Sequence, residues 1–361
     1  MANRLARRWV ALVVVGLAFG AILVGVSTLV PSERPNPLTA LVAAPERIYT
    51  RWVPPQPPPT LPSVLRRERE AWRQLGTQVS GRLVWSSSRD DNHDLYLVDL
   101  STGAERKLTN TRRVEFFSRF SPDGQHISFL RSQRRWVSFR DETAWDLFVM
   151  NADGSGERRL VEGAYHATWL PDGSGLVYVY ENRIFSVDLD SGEIQVIHNG
   201  SDPPTNGRVL EPEQLEPGLL AITLREVPDE SVGILDLNAG SYTPLSSSRS
   251  CQITWFPGRR QALWMDPVGQ GGTSVMTARL DDLQAETLMD LPGAYSHEYF
   301  PRVTYDGKWL VWGASAEGHE HDRADYEVFA WEIGTPWTTA TRLTYSPAND
   351  QWPDLYISGA P

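Results

Sequence analysis

The sequence has a single cysteine, Cys251, so no disulfide can form within the chain. Basic residues are scarce beyond residue 75. Residues 1–75 hold 10 of the 34 basic and 4 of the 45 acidic residues, which leaves 24 and 41 for residues 76–361, a net charge of −17. A body this acidic argues against nucleic acid as a partner. The sequence also lacks a G-x-S-x-G elbow, a P-loop and an H-E-x-x-H motif, so we expect no cofactor and name no metal ligands.

Long apolar runs are rare as well, with one exception near the start of the chain. Trp9–Val30 has no charged residue over 22 positions and follows three arginines, Arg4, Arg7 and Arg8. At about 1.5 Å per residue this run is long enough to cross a bilayer as a helix. It predicts a transmembrane signal anchor at 9–30, with 1–8 as a basic cytoplasmic tail and the remainder on the periplasmic or extracellular side of the cytoplasmic membrane. A cleaved signal peptide is the alternative.

Residues 31–62 contain ten prolines, including "PPQPPP" at 54–59. This composition favours extended polyproline structure and indicates a Pro-rich linker. Residues 63–76 then form a short helix candidate, with Leu65, Trp72 and Leu75 on one side and Gly76 as its end. We interpret the apolar side of this helix as a packing surface.

From residue 77 onward the sequence repeats itself. "SRFSPDGQHISF" (118–129), "ATWLPDGSGLVYV" (167–179) and "PRVTYDGKWLVW" (301–312) share one pattern, and weaker copies occur at 215–223 and 255–264. Repeats of 40–50 residues are typical of propellers and solenoids. Alternating apolar residues between Gly/Asp turns give four strands per unit and six units, hence an all-β, six-bladed β-propeller at 77–361. "DQWPDLYIS" (350–358) aligns with "EYFPRVTYD" (298–306), so the C-terminal strand should close the first blade.

The phrases "SRFSPDGQHISF" and "DLFVMNADGSGERRL" (146–160) resemble the repeats of the TolB-like, PD40 (WD40-like) propeller family. The resemblance covers roughly residues 80–358 and is weakest in the fourth and fifth blades. It implies a six-bladed propeller that docks other proteins of the cell envelope. TolB-like proteins are soluble and carry an N-terminal α/β domain, and in this chain the predicted anchor and linker stand in its place, as a membrane-anchored variant.

Polar residues on one predicted face of the propeller form a candidate binding site. The loops at 87–94 and 314–325 supply His93, His319, His321 and Asp322, and the starts of inner strands supply His166 and His297. Arg119, Arg302 and Asp354 fall at equivalent positions of three inner strands. Imidazole and carboxylate groups together suit a divalent metal. The sequence favours solvated loops and ion pairs between blades instead, because His319-x-His321 lacks the spacing of a closed zinc site. For Arg302 and Asp354, an ion pair across the channel and ligand binding both remain open.

The sequence therefore predicts a membrane-anchored, extracytoplasmic propeller that acts as a non-catalytic docking module. Its partners would be the lipid bilayer, through residues 9–30, and an envelope protein or peptide. The alternative is a metal-dependent polysaccharide lyase, because oligogalacturonate lyases place histidines around a divalent metal in PD40-like propellers.

Overall fold

The computed structural model describes residues 57–90, 92–225, 230–246, 249–318 and 320–359 of the 361-residue chain. The predicted cytoplasmic tail and membrane anchor, and the Pro-rich linker up to residue 56, lie outside these residues. Among the residues described, no helix is both long enough and apolar enough to cross a membrane.

Helix α1 (Pro62–Gly76) precedes the first strand. Pro62 suits the first helical turn, where its missing N–H costs no intrahelical hydrogen bond. Trp72 and Leu75 are fully buried and share a core cluster with Trp85 and Trp309. The apolar side of α1 therefore attaches the helix to the sheets that contain these two tryptophans.

Within the described residues, 24 strands form six antiparallel sheets of four strands each, the blades of a propeller. Blade 1 contains β1 (Gly81–Ser87), β2 (Asp94–Asp99) and β3 (Ala104–Lys107); blade 2 contains β4 (Glu115–Phe120), β5 (His126–Ser132), β6 (Trp145–Asn151) and β7 (Arg158–Glu162); blade 3 contains β8 (Tyr165–Trp169), β9 (Gly175–Tyr180), β10 (Arg183–Asp188) and β11 (Ile194–Asn199). Blade 4 contains β12 (Arg208–Glu216), β13 (Leu219–Arg225), β14 (Glu230–Asp236) and β15 (Ser241–Pro244); blade 5 contains β16 (Cys251–Trp255), β17 (Gln261–Asp266), β18 (Ser274–Arg279) and β19 (Glu286–Met289); blade 6 contains β20 (His297–Val303), β21 (Trp309–Ser315), β22 (Tyr326–Glu332) and β23 (Thr341–Arg342).

The last strand, β24 (Asp350–Ile357), belongs to the first blade. It pairs antiparallel with β1, from Gly81 opposite Ile357 to Ser87 opposite Asp350. The sheet order β24-β1-β2-β3 makes β24 the inner strand of blade 1, as the repeat alignment predicted. This pairing covers the edge of β1, which would otherwise be open to another chain.

The repeated Asp-Gly pair forms the turn between the first two strands of a blade. Gly124 and Gly307 have positive φ angles of 67° and 69°. This left-handed region of backbone conformation favours glycine. The carboxylate of Asp123 accepts hydrogen bonds from Ser121 Oγ (2.6 Å) and the Gln125 N–H (3.0 Å), and Asp306 accepts from Thr304 Oγ1 (2.6 Å). The repeated aspartates therefore stabilise their own turns.

All six inner strands are interrupted at the same place. Each contains one non-glycine residue with φ between 46° and 60°, at which the pairing register with the neighbouring strand shifts. Such β-bulges bend a strand and redirect its side chains. The six residues are Phe117, His166, Glu211, Gln252, Phe300 and Trp352.

Candidate functional site: the central channel and its cap

The six bulge residues line one small cavity at the axis of the propeller. The ring of Trp352 lies between Phe117, with centroids 3.9 Å apart, and Phe300, at 3.7 Å. These three aromatic side chains fill much of the channel at this level. The cavity that remains has a volume of about 20 Å³, which is room for about one water molecule.

Two residues after the bulge, each inner strand carries a polar side chain, and these six side chains form a second level of the channel. Its acidic members bind backbone groups of the next blade: Asp354 Oδ2 accepts the Phe120 N–H (2.7 Å), and Glu213 Oε1 accepts the Trp255 N–H (3.2 Å). These bonds connect blade 1 to blade 2 and blade 4 to blade 5. The six residues of this level are Arg119, Thr168, Glu213, Thr254, Arg302 and Asp354.

The structure pairs Arg302 with Glu213 and not with Asp354. Arg302 Nη1 lies 2.7 Å from Glu213 Oε2 and also donates to Thr254 Oγ1. Of the two alternatives that the sequence left open for Arg302 and Asp354, the described structure does not show the ion pair between them. Glu213 comes from blade 4, two blades away from Arg302 in blade 6, whereas Asp354 comes from the adjacent blade 1.

The buried groups of the channel influence one another's protonation. Burial, and then the charge of Arg302, lower the pKa of Arg119 to about 9. Burial raises the pKa of Asp354, against the opposing effect of Arg119. Burial also raises the pKa of Glu211 to about 7 and lowers that of His166 well below its ordinary value. His166 Nε2 lies 3.7 Å from Glu211 Oε1, so the two side chains form a pair in which burial disfavours both charges.

Two loops meet over the channel and cap it. Asp322, on the β21–β22 loop, accepts hydrogen bonds from Ser138 Oγ (2.6 Å) and the Phe139 N–H (3.3 Å) on the β5–β6 loop. Arg140 and Glu320 form an ion pair between the same loops, at 3.2 Å. Blades 2 and 6 are thereby joined across blade 1.

His321 lies inside this cap. Its exposed fraction is 5%, and its ring centroid is 4.5 Å from those of both Phe139 and Tyr299. Its backbone carbonyl accepts hydrogen bonds from Asn349 Nδ2 and Gln351 Nε2, at 2.7 Å and 2.5 Å. The interpretation of His321 as part of a solvated rim loop is therefore wrong, because aromatic rings surround it.

The remaining predicted site residues are dispersed. His93 is buried beside Phe116, with Nδ1 3.1 Å from Ser86 Oγ, and burial lowers its pKa to about 3. His297 begins β20 and is half-buried. His319 lies outside the described residues. The structure thus brings Arg119, His166 and Arg302 to the cavity, places Asp354 beside them, uses His321 and Asp322 in the cap, and leaves His93 and His297 elsewhere.

Sequence reasoning missed Glu211, Glu213 and Trp352, which also shape the channel. A signal was present: Glu211-Pro212-Glu213 has the same form as Phe300-Pro301-Arg302 and Trp352-Pro353-Asp354, with proline between the two channel-facing residues. Blade 4 lacks the repeated Asp-Gly turn, so the similarity of its inner strand to those of blades 1 and 6 was not recognised. In the described part of the chain, no group of three or more His, Cys, Asp or Glu side chains is placed to hold a metal ion.

Comparison with known proteins shows the fold and no family. No family model matches the sequence. An uncharacterized protein of Agrobacterium fabrum is 25% identical over 30% of this chain and 40% of its own length. TolB from Acinetobacter baumannii superimposes with a TM-score of 0.56 at 14% identity, over 76% of this chain and 66% of TolB. A putative TolB from Agrobacterium tumefaciens gives 0.53 at 14% identity, over 75% and 98%. The chain thus spans less than half of the curated relative and just under two thirds of the first TolB, and its six-bladed, TolB-like architecture is confirmed.

Proposed function

We propose that this protein is a non-catalytic docking module of the cell envelope, which presents its outer surface to an envelope protein or peptide. One observation carries the proposal: the channel, where a propeller enzyme would hold a substrate, contains a cavity of about 20 Å³. Small-molecule sites usually measure about 300–1,000 Å³. A sugar ring does not enter this space.

Two charged side chains of the channel take part in contacts within the ring. Arg302 binds Glu213 and Thr254, and Asp354 binds a backbone N–H of blade 2. Asp322 and its neighbours hold the cap closed. These contacts support a rigid ring whose interior serves stability, with recognition left to loops and edges on the outside.

The proposal includes attachment to the cytoplasmic membrane through residues 9–30, with the propeller outside the cytoplasm. It is supported by the uncharged run of 22 residues after Arg4, Arg7 and Arg8 and by the extended Pro-rich linker that follows. Mass analysis of the intact, membrane-extracted protein tests this part. A mature chain that begins after residue 30 would contradict the anchor.

Crosslinking in intact membranes tests the docking role. Lys107 and Lys308 are the two lysines of the sequence, so amine-reactive reagents are a poor choice, and a dihydrazide that joins carboxylates suits a chain with 45 acidic residues. We expect reproducible crosslinks between surface carboxylates of the propeller and one envelope protein. A control with unfolded propeller should lose them. Crosslinks confined to the chain itself would contradict the docking role.

The lyase alternative makes a different prediction for the same purified, full-length protein. It requires about one divalent metal ion per chain and release of unsaturated products from polygalacturonate. We expect neither in elemental analysis and an absorbance assay. Stoichiometric metal together with product release would overturn the docking proposal, whatever the crosslinks show.

A further inference from the structure

The outermost strand of each blade has one side that pairs with nothing else in its sheet. Natural proteins protect such edges with charge, proline or short length, because an open edge recruits other strands. Five of the six edges here follow that rule: β3 reads Ala-Glu-Arg-Lys, β7 begins with two arginines, β15 has four residues and ends in Pro244, β19 has four residues and begins with Glu286, and β23 has two residues.

The edge of blade 3 is different. Strand β11 has six residues, Ile-Gln-Val-Ile-His-Asn, and is the longest of the six edge strands in the described part of the chain. It contains no Asp, Glu, Lys, Arg or Pro. Ile194 and Val196 are 47% and 58% exposed, and they account for two of the five large apolar side chains that the described surface exposes.

From Ile194 to Val196 the backbone of β11 pairs regularly with β10, and the register shifts after Val196. The Asp188 N–H donates to Glu193 O (2.9 Å), and Val187 and Phe185 lie opposite Ile194 and Val196. In an antiparallel ladder, backbone groups of alternate residues point to opposite sides. The N–H and C=O groups of Ile194 and Val196 therefore face away from β10. Because Ile194 and Val196 are two residues apart, their side chains also lie on the same face of the sheet.

The outward backbone groups and the exposed apolar side chains of β11 together indicate which kind of segment would bind there. Outward N–H and C=O groups spaced along an extended strand pair best with another extended backbone. Exposed apolar side chains at alternate positions favour a segment that also alternates apolar residues on that face.

The acidic residues next to β11 indicate which charge a bound segment would carry at the end near the β10–β11 turn. Asp188, Asp190 and Glu193 are exposed and lie within six residues of one another at the β10–β11 turn. Arg158 also reaches this turn, where it donates to the Leu189 carbonyl. The excess of carboxylates favours a basic residue in the incoming segment. The net charge of −17 on residues 76–361 opposes a second copy of the chain as the occupant.

We propose that β11 is the docking edge of this protein: an extended, alternately apolar segment of a partner, with a basic residue next to Asp190 and Glu193, adds to blade 3 as a fifth strand. The proposal rests on the docking function proposed above and locates it. It assigns recognition to the backbone of Ile194 and Val196 and to the two apolar side chains.

Selection of displayed peptides tests the proposal. Random twelve-residue peptides are selected against the full-length protein in detergent, and the most enriched sequence is synthesised with a fluorescent label. We expect alternating apolar residues with Lys or Arg at one end. In the complex, amide hydrogen exchange of Ile194 and Val196 should slow, because their N–H groups become paired.

Two substitutions at one position separate backbone pairing from side-chain contact. Val196→Pro removes the outward N–H at an edge, where proline is tolerated, and should weaken binding of the labelled peptide about tenfold or more. Val196→Thr keeps the N–H and nearly the same shape, and should change binding by less than about threefold. Thermal unfolding of both variants checks that blade 3 stays folded.

Each other outcome overturns the proposal in a recognisable way. Failure to enrich any peptide contradicts it. Peptides that bind the Val196→Pro variant as well as the original chain would place docking on another surface, while the docking function stands. A dimer in light scattering that Val196→Pro dissociates would identify a second copy as the occupant. Peptide binding at β11 without any crosslinked partner in membranes would leave the edge site intact and refute the envelope role.

Discussion

The two halves of the ring differ in the residue that each inner strand carries two positions before its bulge. Two residues before the bulge, the inner strands of blades 1, 2 and 6 carry Asp350, Glu115 and Glu298, all with 0% exposure. Each carboxylate binds the end of the preceding blade: Glu115 accepts from Thr109 Oγ1 (3.2 Å), Glu298 from the Leu291 N–H (2.8 Å), and Asp350 from Ser346 Oγ (3.1 Å). In blades 3, 4 and 5 the same position is occupied by Ala164, Val209 and Ser250.

The difference shows where the ring depends on buried charge. The junctions into blades 6, 1 and 2 surround the place where β24 closes blade 1, and the loops that form the cap belong to blades 2 and 6 of the same half. Breaking a buried, hydrogen-bonded carboxylate contact costs more than removing a small side chain. At this position of the inner strands, we therefore expect substitution and pH to have a strong effect where a carboxylate is present and a weak effect at Ala164, Val209 and Ser250.

The largest effect should follow removal of the closing strand. Deleting residues 350–361 takes Asp350, Trp352 and Leu355 out of the core and uncovers β1 along its length. We expect loss of cooperative thermal unfolding and rapid proteolysis, measured by circular dichroism and limited trypsin digestion. Deleting residues 359–361 alone, which removes none of β24, should leave unfolding unchanged. A full deletion with the original melting temperature would refute closure by β24.

The next effect in size should come from Glu115. Its carboxylate accepts hydrogen bonds from Thr111 Oγ1 (2.6 Å) and Arg131 Nε (2.7 Å), so Glu115→Ala leaves buried donors unpaired. We expect a loss of about 3 kcal/mol in the free energy of unfolding, measured by urea titration. Ser250→Ala, at the equivalent position of blade 5, should cost about 1 kcal/mol. Equal losses would remove the distinction between the halves.

The carboxylates also predict a pH dependence of stability. Burial raises the pKa of Glu115 and of Glu298 to about 7, from an ordinary value of 4.5. Between these values the folded protein binds more protons than the unfolded chain, so the free energy of unfolding falls as pH rises from about 4.5 to 7.

Glu298→Gln should flatten this slope by up to about 3 kcal/mol over that range, because the amide does not titrate. Urea titrations at several pH values measure the slope. Glu286→Gln, on the exposed edge strand β19, serves as the matched control and should leave the slope unchanged. A Glu298→Gln variant with the original slope would show that burial does not shift this carboxyl group.

The smallest effect should distinguish two buried histidines. His321→Ala removes a ring that contacts Phe139 and Tyr299 in the cap, and we expect a loss of about 1–2 kcal/mol from the space it leaves. His198→Ala in blade 3 breaks one 2.8 Å hydrogen bond to Thr205 Oγ1 and should cost about 0.5–1 kcal/mol. Differential scanning calorimetry of both variants compares them. A greater loss for His198 would reverse the expected order.

Much of the fold followed from the sequence because repeats and turns are local signals. The Asp-Gly turns, the alternating strands and the match between residues 350–358 and 298–306 together predicted six blades and their closure. The site was harder to predict because it depends on pairing across the ring. Arg302 contacts Glu213, 89 positions away in the sequence, and Asp322 contacts Ser138 across 184 positions. No local pattern encodes such contacts, and proline follows the bulge residue in only three of the six inner strands.

The pairing of β24 with β1 also sets an order of events during synthesis. Gly81 and Ile357, which lie opposite each other, are 276 positions apart in the chain. At about 5–20 residues per second, a ribosome needs roughly 15–55 s to supply the partner of β1 after that strand has emerged. Throughout this interval blade 1 has three strands and an open inner edge. The first blade made is thus the last to be completed, and the nascent chain needs protection from aggregation until its final strand arrives.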